Sequence, residues 1–145
     1  MSTKHEWNYS DDAREALDEV RARRGFTLPL HEVMAAVDPE ILKRYNALAS
    51  YLIFGPEPRH LDLKTRFLVM VGITTAVKGD REGVEWSSKR AMDNGATEEE
   101  VLEAMILAGL PAGMPSVEGA ATGFAEMLEG AGWVDQSAAP TDGGL

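Results

Sequence analysis

Helix-capping signals recur along this 145-residue chain, and apolar residues at helical spacing follow each of them. Ser10 stands before two aspartates and an amphipathic stretch that Gly25 can close. Asp38 with a proline after it predicts another helix start, because proline favours the first helical position. Thr97 and Glu100 have the spacing of a capping box. The chain is therefore predicted to form a succession of short helices.

The same signals predict an all-α fold, a single-domain bundle of about seven helices. The stretch from Asp62 through Ile73 is apolar on nearly all sides, which is typical of a central buried helix. A last helix is predicted over residues 116–129, where Gly119 and Gly123 would allow close approach to a neighbouring helix. Residues 134–145 are small and polar and are predicted to be a disordered tail.

The charge balance argues against nucleic acid as a partner. The chain has 24 acidic and 14 basic side chains, a formal net charge of −10, so its surface repels phosphate backbones. The one basic cluster, residues 21–24, lies where the first helix is predicted to end, and pairing with the helix dipole explains it.

Several classes of chemistry lack the residues that they need. There is no cysteine, which excludes disulfides, thiolate nucleophiles and cysteine-containing zinc sites. The three histidines, at positions 5, 31 and 60, lack metal-ligand spacing, and no phosphate-binding or dinucleotide-binding motif occurs, so neither a metal nor a cofactor is expected. The longest apolar run, residues 67–77, is about half of a membrane span, so we expect a cytoplasmic protein without a membrane partner.

Residues 79–90 combine charged and aromatic side chains at the start of a predicted helix. Glu85 lies about one helical turn from Arg81 and Lys89, so ordinary surface ion pairing can explain the charges. Trp86 can equally be core or interface packing. Taken alone, the segment fits either a structural role or a small reactive site.

Three segments of the chain resemble the carboxymuconolactone decarboxylase family, which shares the alkylhydroperoxidase D-like domain. Residues 61–66, Leu-Asp-Leu-Lys-Thr-Arg, are similar to the family's opening motif, and an apolar stretch follows. Residues 89–104, with Asn-Gly-Ala-Thr-Glu-Glu-Glu-Val-Leu-Glu-Ala at their end, are similar to its second hallmark. Gly113-Met-Pro resembles its small-residue turn. Together the segments cover roughly residues 25 to 130.

This resemblance implies an alkylhydroperoxidase D-like fold whose protomers assemble into rings, commonly trimers or hexamers, with sites near the subunit contacts. It divides the chain into an N-terminal helical extension at residues 1–24, a family domain at 25–133 and the tail at 134–145. Among C-terminal apolar residues, Met105, Met114, Phe124 and Trp133 are predicted to line subunit contacts.

The chain departs from the family at the positions of its reactive groups. Counted back from Gly95, the two cysteines of the thiol-bearing members fall at Asp80 and Gly83, and their histidine falls at Ser87. Peroxide reduction by thiols is therefore excluded, and so is proton transfer by a histidine at that position.

What the resemblance implies is a cofactor-free decarboxylase or lyase that acts on a small anionic lactone or ring-derived carboxylic acid in aromatic-compound breakdown. Glu85 is the expected proton donor, Arg81 the expected carboxylate-holding cation, and Ser87 a hydrogen-bond donor. The expected substrate-binding residues are Trp86, Arg66 and His31, although a surface or capping role is favoured for the histidine.

Two alternatives remain open from the sequence. The same pocket could serve an isomerase or a lactone hydrolase, since fold-level likeness says little about reaction type. The chain could also be a non-catalytic member that binds a small molecule or a protein.

Overall fold

A computed structural model of the chain describes residues 7–55 and 60–130. Within these ranges it contains seven α-helices and no strand, which confirms the predicted all-α fold of about seven helices. The helices are α1 (Asp11–Arg24), α2 (Pro29–Val37), α3 (Pro39–Ile53), α4 (Leu63–Ala76), α5 (Arg81–Asp93), α6 (Glu98–Ala112) and α7 (Met114–Leu128).

The predicted helix caps are formed by the expected side chains. The Ser10 hydroxyl accepts a hydrogen bond from the backbone N–H of Ala13 at 3.2 Å, and Gly25 ends α1 with a φ of 89°. Thr97 and Glu100 exchange the two hydrogen bonds of a capping box, at 3.2 and 2.9 Å. These local interactions fix where α1 and α6 begin.

The joint between α6 and α7 is shorter than the sequence suggested. Helix α6 continues through Pro111 to Ala112, and α7 already begins at Met114 rather than at residue 116. Gly113 alone makes the turn with a φ of 96°, a value that a side chain would oppose.

The chain folds as two compact units. The first unit contains α1, α2 and α3, and its core is made of aliphatic residues on all three helices. Four of the core residues are on α1, and two of these are alanines. Small side chains let helices approach closely, so α1 packs tightly against α2 and α3. We call this the three-helix unit. The core residues are Ala13, Ala16, Leu17, Val20, Ala35 and Leu42.

The second unit, the four-helix unit, contains α4, α5, α6 and α7. Helix α4 packs against α5 and α6, and α7 packs against the same two helices. Its interior is built mainly from Phe67, Val71, Trp86, Val101 and Met105, each at most 2% exposed. This unit carries both segments on which the resemblance mainly rests.

Helix α4 packs against all three other helices of its unit, as predicted for a central helix, but the prediction that it is buried on nearly all sides is wrong. Val69, Ile73 and Val77 lie on one side of this segment and are 47%, 55% and 69% exposed. Helix α5 is instead buried at every position from residue 84 to residue 88. An apolar helix can leave one face uncovered in a single protomer, whereas α5 is enclosed by its neighbours in the four-helix unit.

Two of the apolar residues that were predicted to line subunit contacts are part of the core. Met105 is fully buried and Phe124 is 7% exposed, so neither offers surface to another subunit. Met114 is about half-exposed. Trp133 and the predicted tail at residues 134–145 lie outside the described residues.

Candidate functional site

Asp80 caps the start of helix α5, because its carboxylate accepts a hydrogen bond from the backbone N–H of Gly83 at 2.9 Å. This cap sets the register of the helix. Arg81 and Glu85 are four residues apart in it, so their side chains share one helical face.

That face lies against Gly123 of α7. A side chain at position 123 would place its Cβ atom 2.9 Å from Cγ of Arg81 and 3.8 Å from Cγ of Glu85. Only a glycine allows α7 to approach these two residues so closely. The second glycine of the predicted pair, Gly119, has open space around it, so the close approach is confirmed for Gly123 only.

Glu85 is fully buried, whereas the side chain of Arg81 is about half-exposed. The Arg81 guanidinium contacts the carboxylate of Glu126 on α7 at 2.8 Å. An acid therefore lies inside the unit and a cation lies at its edge, one helical turn apart.

The Ser87 hydroxyl is fully buried and bonds to its own helix. It donates to the backbone carbonyl of Gly83 at 2.7 Å and lies 3.2 Å from that of Val84. For this hydroxyl to donate to a substrate, it would have to leave the Gly83 carbonyl.

Trp86 packs in the interior of the four-helix unit. Its ring meets that of Phe67 edge-on, with the centroids 5.6 Å apart and the planes at 82°. The Arg90 guanidinium lies over the same ring, 5.8 Å from the centroid. Trp86 is therefore fixed between an aromatic ring and a cation.

Arg66, the last residue of the first motif, is 8% exposed. Its Nε donates to the backbone carbonyl of Leu61, the first residue of the same motif, at 2.8 Å. This hydrogen bond joins the last residue of the motif to the first, which agrees with a role for Arg66 in holding the motif's conformation.

His31 belongs to the three-helix unit, whereas the other five candidate residues belong to the four-helix unit. It is 1% exposed, and its Nδ1 accepts a hydrogen bond from the backbone N–H of Leu28 at 3.0 Å. Burial, assisted by the charge of Arg24, lowers the pKa of His31 to about 4. The ring is therefore neutral near pH 7, and it caps the start of α2 beside the ring of Tyr45.

Sequence reasoning missed several buried polar residues of the four-helix unit. Arg90 is 8% exposed, and Ser88 and Ser116 are almost completely buried. The hydroxyls of the two serines have no hydrogen-bond partner among the described residues. One signal for Arg90 was available, because it follows Trp86 by four residues, the spacing at which a cation can reach an aromatic ring on a helix.

Two grooves that are lined by described residues lie one in each unit, and Glu85 lines neither of them. The groove of the four-helix unit lies between α4 and α6 and has a volume of about 640 Å³. Its floor contains Gly72 and Ala108, and the exposed Val69 and Ile73 line it. The groove of the three-helix unit lies between α1 and α3.

The described residues contain no group of three or more histidine, aspartate or glutamate side chains that could hold a metal ion. Within the same ranges, no helix is long and apolar enough to cross a membrane. What α5 does offer is a buried carboxyl group next to a cation, and these two groups can transfer a proton and bind an anion.

Comparisons with known proteins agree with this fold. A crystal structure of a protein from Burkholderia xenovorans LB400 superposes on this chain with a TM-score of 0.67. That protein has a provisional assignment as a carboxymuconolactone decarboxylase. That alignment covers 83% of this chain and 93% of the other, at 19% identity, so it establishes a shared fold alone. A comparison with curated proteins finds no match. The model of the carboxymuconolactone decarboxylase family matches residues 39–127, more than half of the sequence, and the chain therefore belongs to that family.

Proposed function

We propose that the protein is a cofactor-free decarboxylase that acts on a small anionic lactone or ring-derived carboxylic acid in aromatic-compound breakdown. The observation that carries this proposal is the pair on α5, a fully buried Glu85 one helical turn from a half-exposed Arg81. Decarboxylation needs these two functions together, a cation for the carboxylate and an acid for the carbon that loses it.

The reaction balances without an additional reagent. The carboxylate binds at Arg81, where it would replace Glu126 in the ion pair. The bond between the ring carbon and the carboxylate breaks, and its electron pair moves into the conjugated lactone carbonyl. Glu85 then donates a proton to carbon, and one proton taken up from the solution restores Glu85 after the product leaves, so that each turnover consumes one proton and releases one CO2.

Burial of Glu85 favours this role over lactone hydrolysis. A hydrolase needs a base that holds a water molecule beside the bound substrate, and the Glu85 side chain has no solvent-exposed surface in the described protomer. A buried acid suits proton delivery to a substrate from which water has been excluded.

The direct test is CO2 release from a panel of carboxylated lactones and ring-cleavage acids, without added metal or cofactor. We expect Glu85→Gln to lower the rate by about a hundredfold or more, in line with the usual contribution of a general acid. We expect Arg81→Ala to reduce kcat/KM by a similar factor, since it removes the carboxylate's partner.

Glu82→Gln is the matched control, because Glu82 lies on the same helix outside the proposed pair. It should leave the rate within about twofold. An absence of CO2 release with the folded protein would contradict the proposal, and so would an equal loss of rate in the Glu82 and Glu85 variants.

We also propose that protomers associate through α4 and α6 into the trimeric or hexameric rings that the family resemblance implies. The groove between these helices carries exposed apolar side chains, Val69, Ile73 and Leu107 among them, which are 47–58% exposed. Apolar surface that is left uncovered on one protomer is typical of a subunit interface. Light scattering should therefore give a multiple of the 15.7 kDa chain mass.

Ile73→Asp tests the location of this interface, because it introduces a charge where a dry contact is expected. The variant should be monomeric and folded. A wild-type protein that is itself monomeric, or an Ile73→Asp variant that stays fully assembled, would refute the assignment.

A further inference from the structure

Two serines of the four-helix unit carry buried hydroxyl groups that no described residue binds. Ser88 on α5 is fully buried and Ser116 on α7 is 4% exposed, and neither hydroxyl has a hydrogen-bond partner in the described part of the chain. Other buried hydroxyls of this unit are paired, since those of Thr75 and Ser87 donate to a carbonyl one turn earlier at 2.7 Å. Ser88 and Ser116 therefore favour a partner from outside the described chain.

Ser88 lies on the face of α5 that carries the proposed reactive pair. At about 100° per residue, Arg81, Glu85 and Ser88 fall within an arc of about 60°. This arc faces α7, because a Cβ atom at Gly123 would lie 2.9 Å from Cγ of Arg81 and 3.8 Å from Cγ of Glu85. The Ser88 side chain is therefore on the α7 side of the helix.

Helices α5 and α7 run antiparallel. Glu126 contacts Arg81 at the start of α5. Gly123, which is one turn earlier in α7, also reaches Glu85, which is one turn later in α5. The contact therefore moves forward along α5 as it moves backward along α7.

The two serines lie at about the same level of this antiparallel pair. Ser88 follows Arg81 by seven residues on α5, and Ser116 precedes Gly123 by seven residues on α7. Seven residues are two helical turns, or about 10.5 Å, and they return a side chain to nearly the same face. Because Arg81 lies against Gly123, Ser88 and Ser116 lie on facing sides of the two helices. They form no hydrogen bond with each other, so a bridging group between them would satisfy both.

We propose that a buried water molecule bridges the hydroxyls of Ser88 and Ser116, and that this chain of groups carries protons from the surface to Glu85. Its role as a relay rests on the proposed decarboxylation, which consumes one proton per turnover although Glu85 has no solvent-exposed surface. Ser116 directly follows the exposed residues Met114 and Pro115, so it forms the outer end of the chain. Ser88, one helical turn from Glu85, forms the inner end.

Proton transfer along this chain leaves every group unchanged. A hydroxyl or a water molecule can accept one hydrogen bond while it donates another, so each passes one proton inward and takes one from its outer neighbour. The net result is one proton moved from solution to the Glu85 carboxylate. Arg81 lies one turn before Glu85 and Ser88 lies one turn after it, so the water stays away from the end where the substrate carboxylate binds.

A crystal structure at a resolution that shows ordered water tests the bridge without any substrate. We expect a water oxygen within about 3.2 Å of the Oγ atoms of both Ser88 and Ser116. A contact between α5 and α7 without water at this level would overturn the whole proposal.

Rapid-mixing measurements of CO2 release separate a relay from a structural role. The first turnover uses the proton already present on Glu85, so Ser88→Ala should keep its rate within about twofold of the wild type. Later turnovers need a new proton, and steady-state release should slow at least about tenfold. Ser116→Ala should give the same result, and the double variant should be no slower than either, because each substitution interrupts the same chain.

Thr75→Val is the matched control, because it removes a buried hydroxyl of the same unit whose partner is the carbonyl of Val71. Both rates should stay within about twofold of the wild type. A loss of the first-turnover rate in Ser88→Ala as large as the steady-state loss, or an unchanged steady state, would overturn the relay. A wild type that releases no CO2 would refute the proposed decarboxylation and the relay with it, and the crystal structure would still decide whether the bridging water exists.

Discussion

In the three-helix unit the buried polar side chains are neutral near pH 7, whereas the four-helix unit buries a carboxyl group and two guanidinium groups. The first unit hides His31, whose pKa of about 4 keeps it uncharged, together with Asn46 and Ser50. The second hides the guanidinium groups of Arg66 and Arg90 and the ionisable side chain of Glu85. Both units are of similar helical construction, so the difference lies in their side chains.

This difference bears on function because a buried charge is expensive and a buried neutral group is much less so. Stability alone would favour apolar residues at the positions of Glu85 and Arg90. Charged groups in such places are commonly functional. The comparison therefore supports the proposal that the reaction takes place in the four-helix unit.

The largest effect that we predict concerns the aromatic packing around the buried charges. Phe67→Ala removes the ring that meets Trp86 edge-on and should lower the free energy of unfolding by about 3 to 5 kcal/mol. Lys64→Ala, on the same helix but outside the groove and in a partly exposed ion pair with Glu100, should cost less than about 1 kcal/mol. Urea denaturation of both variants measures the difference. Equal losses would mean that α4 has no distinct buried face.

The second effect is a pH dependence that arises from the three-helix unit. The folded-state pKa of His31, about 4, lies below its usual value of 6.5, so the unfolded chain binds the proton first as the pH falls. The stability that the neutral ring contributes is complete above about pH 6.5 and is lost as the pH falls towards 4. The total is about 3 kcal/mol.

His31→Gln is the variant that isolates this effect. Glutamine can still accept the hydrogen bond from the N–H of Leu28 at the third helical position, but it does not titrate. The difference in unfolding free energy between pH 7 and pH 4.5 should therefore shrink in the variant. If the wild type and the variant lose the same unfolding free energy between pH 7 and pH 4.5, the pH dependence does not come from His31.

The smallest effects should have opposite signs at the two glycines of α7. Gly123→Ala brings a Cβ atom to 2.9 Å from Arg81 and should destabilise by about 1 kcal/mol and slow the proposed reaction. Gly119→Ala meets nothing within 4 Å and should stabilise by about 0.5 to 1 kcal/mol, because alanine is the better helix former. The Tm of each variant measures these two changes. A higher Tm for Gly123→Ala than for the wild type would mean that Arg81 does not pack closely against α7.

Helix boundaries were the part of the fold that the sequence predicted best. Caps are local, so Ser10, Asp38 and Thr97 determine the start of a helix wherever that helix lies in the fold. The match to the family depends on the same kind of local motif, and it was identified correctly from the sequence.

Which faces are buried was harder to predict, because burial depends on neighbours that are distant in sequence. The apolar residues of α4 are spread over nearly all of its sides, so their periodicity does not identify the face that is left uncovered. Met105 and Phe124 fill the core because α5 and α7 close over the interior of the unit. Polar residues on α5, such as Ser88 and Arg90, resemble surface residues until that packing is known.

The candidate site was predicted in part. The sequence identified Glu85 and Arg81 as a pair, and the shared face on α5 agrees with that pairing, although their roles stay predictions. It did not identify Gly123 or Glu126 as their neighbours, since these lie on another helix. Contacts between helices depend on tertiary packing, and a local sequence motif does not predict them.

Asp38 has a consequence for how this chain tolerates insertions and deletions. It ends α2 by donating its backbone N–H to Met34 at 2.8 Å, and its carboxylate caps α3 at 3.1 and 3.3 Å, so no spare residue separates the two helices. One residue added here would rotate all of α3 by about 100° about its axis. Asn46 and Ser50, which line the groove between α1 and α3, would turn away from it together. Natural length variation should therefore be rare at this position and more common between α1 and α2.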